Sequence, residues 1–168
     1  MTQTLFALLA LALGSTLVMQ QSTQAARSER MADGHEVAAS AADAAAARLA
    51  FVSTLAFDQA TVAGRATALG QLTPAIAPYV AGGADTPGDD IDDFHRTTAT
   101  VARAVDSGTV SFSLLTTVQY VSEADGDTAS LVPTRFKKVT VTATAANVPG
   151  QAAVTLSQLY QCGTRCVF

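Results

Sequence analysis

Three hydrophobic patterns succeed one another along the chain. From Met1 to Ala26 no side chain carries a charge, and Leu5-Phe-Ala-Leu-Leu-Ala-Leu-Ala-Leu13 is apolar on every side. Leu17, Val18 and Met19 extend that run past Gly14-Ser15-Thr16. An amphipathic surface helix has a polar face and this one has none, so it belongs in lipid or inside a larger assembly. From Arg27 to Val62 the pattern becomes one-sided. Val37, Ala41, Ala44 or Ala45, Arg48 or Leu49, Val52 and Leu55 or Ala56 recur at helical spacing in an alanine-dense stretch with no proline and a single glycine, Gly34. The spacing predicts one helix running from the uncharged segment into a folded domain. Arg27, Glu29, Arg30, Asp33 and Glu36 form a mixed-charge belt where it leaves the apolar environment.

After Gly108 the period changes to two. Val110, Phe112, Leu114, Thr116, Val118 and Tyr120 alternate with residues of the opposite face. Phe136–Ala145 follows with Val139, Val141 and Ala143 inward and Lys138, Thr140, Thr142 and Thr144 outward, and Ala153–Tyr160 gives a third strand. Turn signals at Glu123–Asp127 and Val148-Pro149-Gly150 make these strands consecutive and antiparallel. The apolar face of the meander needs a lid, and the second half of the helix is the candidate. The expected fold class is therefore α+β, a long N-terminal α-helix packed on a C-terminal antiparallel β-meander. Its segments are 1–26 (uncharged helix), 27–62 (helix on the sheet), 63–108 (irregular connection) and 109–168 (sheet and cysteine loop). The connection is marked by Gly64, Gly70, Pro74, Pro78, Gly82, Gly83, Pro87 and Gly88.

Composition narrows the classes. The chain has 168 residues, sparse charge (14%) and a net charge of −4, which offers no electrostatic reason to expect a nucleic-acid partner. Cys162 and Cys166, the only cysteines, could be a disulfide, half of a metal site or two independent thiols. Chelation needs further ligands and the two histidines, His35 and His95, are remote in sequence, so a disulfide and an oxidising compartment are expected. In the connection, Asp89, Asp90, Asp92 and Asp93 crowd four carboxylates into five positions, with Asp85 upstream. Such a set could hold a hard cation, but its spacing does not match the helix-flanked calcium loop. The reading taken is a solvated turn, with Ile91 and Phe94 plugging it onto the core. His95 beside these acids invites an acid–base role. No Gly-x-Ser-x-Gly elbow, phosphate-cradling loop or His-Glu-x-x-His accompanies it, and neither catalysis nor a cofactor is expected.

An uncharged helix continuing onto an antiparallel meander closed by a late cysteine pair resembles the type IV pilin and pseudopilin family. Asp89-Asp-Ile-Asp-Asp-Phe-His95 and Phe136-Lys-Lys-Val-Thr-Val-Thr142 are similar to segments of minor-pilin-like members. Two features depart from the pattern. The family's basic leader has no counterpart before Met1, as a mature chain would look, and Leu5 stands where members typically carry a glutamate that pairs with a neighbour's N-terminus. The resemblance implies a structural subunit held in the inner membrane before assembly and then packed with identical copies in an extracellular cell-surface filament. Helix contacts there would run through Leu5, Phe6, Leu8, Leu9, Leu11, Leu13, Leu17 and Val18. Two other readings are a secretion-system pseudopilin forming short fibres, and a secreted or membrane-tethered binding module whose residues 1–26 are only a signal or an anchor.

Overall fold

The computed structural model describes residues 2–62, 64–74, 76, 86–106, 108–148 and 150–168, with residues 2–18 described as helical backbone only. Pro78, Gly82, Gly83 and Asp85 lie outside the described residues.

A single helix, α1 (Thr2–Val52), occupies 51 residues, which is about 77 Å at about 1.5 Å per residue. Its second half carries the anticipated stripe: Val37, Ala41, Ala44, Ala45, Leu49 and Val52 are all buried. They pack on Val110, Phe112, Leu114, Val118, Val139, Val141 and Ala143 of the sheet. Alanine at three of the six helix positions keeps the spacing between helix and sheet short. Polar ties fix the register. Glu36 accepts the amide of Asp106 (2.7 Å), Gln151 donates to the carbonyl of Gly34 (3.3 Å), and the Tyr160 hydroxyl donates to the carbonyl of Leu49 (2.9 Å) in the last turn, where helix carbonyls lack partners of their own.

The helix ends at Val52, ten residues before the expected limit. The reason is local. The Ser53 and Thr54 hydroxyls donate back to the carbonyls of Ala50 and Phe51, and the turn tightens through Thr54 N–H to Phe51 and Leu55 N–H to Val52. A separate helical turn, α2 (Gln59–Val62), starts afresh behind Asp58, whose carboxylate accepts the Ala60 amide while the Thr61 hydroxyl accepts the Asp58 amide.

Among the described residues the sheet has four strands, not three: β1 (Thr97–Val105), β2 (Gly108–Tyr120), β3 (Phe136–Ala145) and β4 (Val154–Gln161), antiparallel in the order of the sequence. The irregular connection expected over 63–108 thus contains a full edge strand, paired from Thr97 with Thr116 to Val105 with Gly108. Its inward positions include only Ala99, Val101 and Val105 as apolar residues, packed half-buried at the core margin. The outer face of the sheet is hydroxyl-rich, with cross-strand pairs Thr140–Ser157 (2.9 Å) and Thr142–Thr155 (3.2 Å).

Cys162 and Cys166 form a disulfide. The closed loop lies against Ala66, which exchanges backbone hydrogen bonds with Arg165 and Val167 (2.9 Å each). Arg165 donates to the carbonyls of Thr61 and Val62 at the end of α2 (2.6 and 3.0 Å). The C-terminal tail therefore seals a second apolar cluster of Phe57, Ala66, Leu72, Tyr120 and Cys162.

Candidate functional site

Two features stand apart from ordinary packing. The first is the unsupported part of α1. Every residue from Met19 to Asp33 is exposed, with Met19 at 72% and Met31 at 67%. The Ser22, Thr23 and Ser28 hydroxyls donate to the carbonyls three residues back (2.8–3.0 Å), so these polar groups are satisfied within the helix and need no water. Such a surface tolerates either solvent or a neighbouring helix. The side chains of Leu5, Phe6, Leu8, Leu9, Leu11, Leu13, Leu17 and Val18 lie outside the described residues. Among the described residues no helix is long and apolar enough to cross a membrane.

The second feature is a charged centre inside the domain. Period two places Lys137 on the inward face of β3, in line with Val139, Val141 and Ala143, and it is fully buried. Its ammonium group donates to the Asp58 Oδ2 (2.9 Å), to the Asp92 Oδ2 (2.8 Å) and to the carbonyl of Phe57 (2.7 Å). The rings of Phe57 and Tyr120 stand over it, with centroids 4.5 and 4.8 Å away. Asp58 is saturated with donors: the Tyr120 hydroxyl (2.8 Å), the Thr73 amide and hydroxyl, and the Ala60 amide. Asp92 is not. Its Oδ1 lies 2.7 Å from the ammonium nitrogen yet accepts no hydrogen bond from the described residues.

The two carboxylates consequently respond differently to burial. Desolvation pushes Asp58 up, but the Lys137 charge and the hydrogen bonds from Lys137, Tyr120 and Ala60 outweigh it and hold Asp58 below the usual carboxylate range. For Asp92 desolvation prevails over Lys137 and raises the pKa to about 7. Asp90, desolvated and close to the Asp93 charge, is raised to about 6. The Tyr120 phenol is pushed far up, by burial first and then by Asp58 and Asp92, and stays protonated as a donor.

The acidic run is thus no solvated turn. Asp90, Asp92 and Asp93 are between 1% and 5% exposed. Asp90 accepts the amides of Asp92 (2.7 Å) and Asp93 (3.2 Å), and Asp93 accepts those of Gly88 (2.7 Å) and Asp89 (3.2 Å). Backbone pairing of Ala56 with the 89–91 segment docks the run on the chain leaving α1. Asp89, Asp90, Asp92 and Asp93 do not converge on a common point, and among the described residues no cluster of three or more acids, histidines or cysteines is placed to hold a metal. Of these acids Asp92 meets a cation, Lys137. His95 is also engaged in folding: just ahead of β1 its Nδ1 accepts the Val118 amide (3.1 Å), and burial lowers its pKa, keeping that acceptor unprotonated.

No protein family, characterised protein or solved structure matches this chain. The lysine centre was legible only in part. A lysine at core parity demands carboxylates, and the acidic run supplies one, but the partnership with Asp58, 79 residues away, has no sequence signature.

The buried acids set a pH dependence. In the ion-paired protein Asp90 and Asp92 hold protons more tightly when folded than when unfolded, so their favourable contribution is complete below about pH 4 and is lost as pH rises through about 6 to 7. Asp58 has the opposite sign and its contribution is lost below about pH 4. The melting temperature should fall by on the order of 5 °C between about pH 5 and 8. Differential scanning calorimetry across that range checks it, and Asp92→Asn should flatten most of the slope.

Proposed function

We propose that the protein is the structural subunit of an extracellular, type IV pilus-like filament, assembled through α1. The observation that carries this reading is the continuity of the helix. α1 runs without a break from Thr2 into the domain core, the domain covers it only from about Gly34 onward, and the sequence ahead of Ala26 has no charged side chain. A rod of that kind loses contact with lipid tails at low cost only when other helices replace them. Copies stacked head to tail around a common axis provide those helices, and a heterologous contact that does not close on itself propagates as a fibre. The mixed-charge belt and the hydroxyl-rich sheet face would then lie toward solvent. The tie between Tyr160 and the end of α1 and the disulfide loop would keep the domain rigid on its stalk. In this reading the acid–lysine centre is a structural clamp and the chain performs no catalysis.

Immunogold electron microscopy with antibody raised to the folded domain tests the reading on cells. Labelling spaced along thin filaments is the expected result. Labelling confined to the envelope, with no fibres, would favour a tethered binding module.

A further inference from the structure

We propose that Lys137 and Asp92 condense to form an intramolecular amide, with Asp58 relaying the proton. The proposal rests on the geometry of the buried centre and is independent of the filament reading. Both oxygens of Asp92 lie within 2.8 Å of the Lys137 Nζ, the contact of a bidentate ion pair, so a turn of the carboxyl about its Cβ–Cγ bond is the motion that presents the face of the carboxyl carbon to the nitrogen. The lysine side chain has no exposed surface and that of Asp92 only 7%, and the rings of Phe57 and Tyr120 wall off the nitrogen. Water, which would return an amide to acid and amine, is kept away.

The two acids differ in the way such a reaction needs. Asp58 is an anion fixed by donors from Tyr120, Thr73 and Ala60, a poor electrophile but a well-placed proton acceptor, 2.9 Å from Nζ. Asp92 has an oxygen that accepts no hydrogen bond from the described residues and a carboxyl that burial keeps partly neutral near pH 7. Transfer of one proton from the ammonium to Asp92 gives an amine and a carboxylic acid, the pair that can react. The Nζ lone pair then bonds to the Asp92 carboxyl carbon. Asp58 takes a proton from nitrogen and returns it to the departing hydroxyl as the C–O bond breaks. One amide and one water result, Asp58 is unchanged, and nothing is oxidised or reduced. The product removes the charges of Lys137 and Asp92 and leaves Asp58 as an anion held by the donors of Tyr120, Thr73 and Ala60. It also joins β3 covalently to the segment preceding β1 and closes a loop 45 residues long.

The test is the intact mass of the full chain, disulfide reduced, after several days folded at pH 7, with a peptide map. The expected mass is one water below that of the sequence, with a cross-linked peptide pair containing Asp92 and Lys137. Lys137→Arg retains the cation, cannot form the amide because guanidinium stays protonated, and should show the full mass. Asp58→Asn should slow the loss of water by about 100-fold or more. The full sequence mass in the folded wild type would overturn the proposal. So would a deficit mapping to a succinimide at Asp125–Gly126, or a cross-link from Lys137 to Asp58. In the condensed protein Asp92 no longer titrates, so the slope of stability with pH should shrink to the share of Asp90.

Discussion

Replacing Lys137 by Met lowers the stability of the ion-paired, uncondensed domain by about 3–5 kcal/mol, the usual cost of removing one partner from a buried ionic group. Methionine fills most of the volume and keeps the contact with the Phe57 and Tyr120 rings, so the loss is electrostatic rather than steric. Asp58 keeps its neutral donors, but Asp92 is left with no partner for either side-chain oxygen that Lys137 now faces. It must then protonate on folding. A folded margin of about 5–15 kcal/mol makes that loss a large fraction of the whole. Urea titration followed by circular dichroism measures it, and a shift in midpoint at unchanged slope is the expected form. Adding Asp92→Leu to Lys137→Met should recover part of the loss, because an apolar replacement of both partners removes the stranded charge. If Lys137→Met alone has no effect on the midpoint, the centre contributes nothing to stability and the clamp assigned to it does not exist.

Leu9→Glu abolishes filaments while leaving the sheet domain folded. Leu9 lies in the uncharged run, where the proposed assembly surrounds each helix with others. A carboxylate forced into that environment finds no charged side chain in the first 26 residues of any copy. Burying it costs several kcal/mol per subunit, multiplied along the fibre. The domain beyond Gly34 does not depend on that position, since its core is built from Val37 onward. Cells carrying the variant should show no fibres by negative-stain microscopy, while the soluble domain gives the same melting transition as the wild type. Fibres of normal number and length would reject the central role of this helix.

The parts of the fold readable from sequence were those where one periodicity acted alone. Six buried positions along the second half of α1 fall at the expected helical spacing, and β2 and β3 alternate as their patterns require. The sequence misled where side-chain chemistry competed with pattern. Ser53 and Thr54 stop the helix by bonding back to its carbonyls, with neither glycine nor proline to announce the end. β1 was hidden because its inward positions are partly alanine, a residue depleted in strands, and because it is an edge strand, half-buried at best. The acidic run read as solvated because isolated carboxylates seldom go inside. Here backbone amides and one lysine, placed by long-range folding, make burial tolerable. Lys137 itself could have been singled out by parity alone, as a charge in line with Val139 and Val141.

The measurement that bears most directly on the filament claim is the intact mass and N-terminal sequence of the protein sheared from the cell surface, with micrographs of the same fraction. The account predicts thin fibres built of chains that retain the uncharged segment up to Ala26. Chains that begin near Ala26 in a fraction of soluble monomers would contradict it, because a segment removed before the protein reaches the surface cannot hold a filament together.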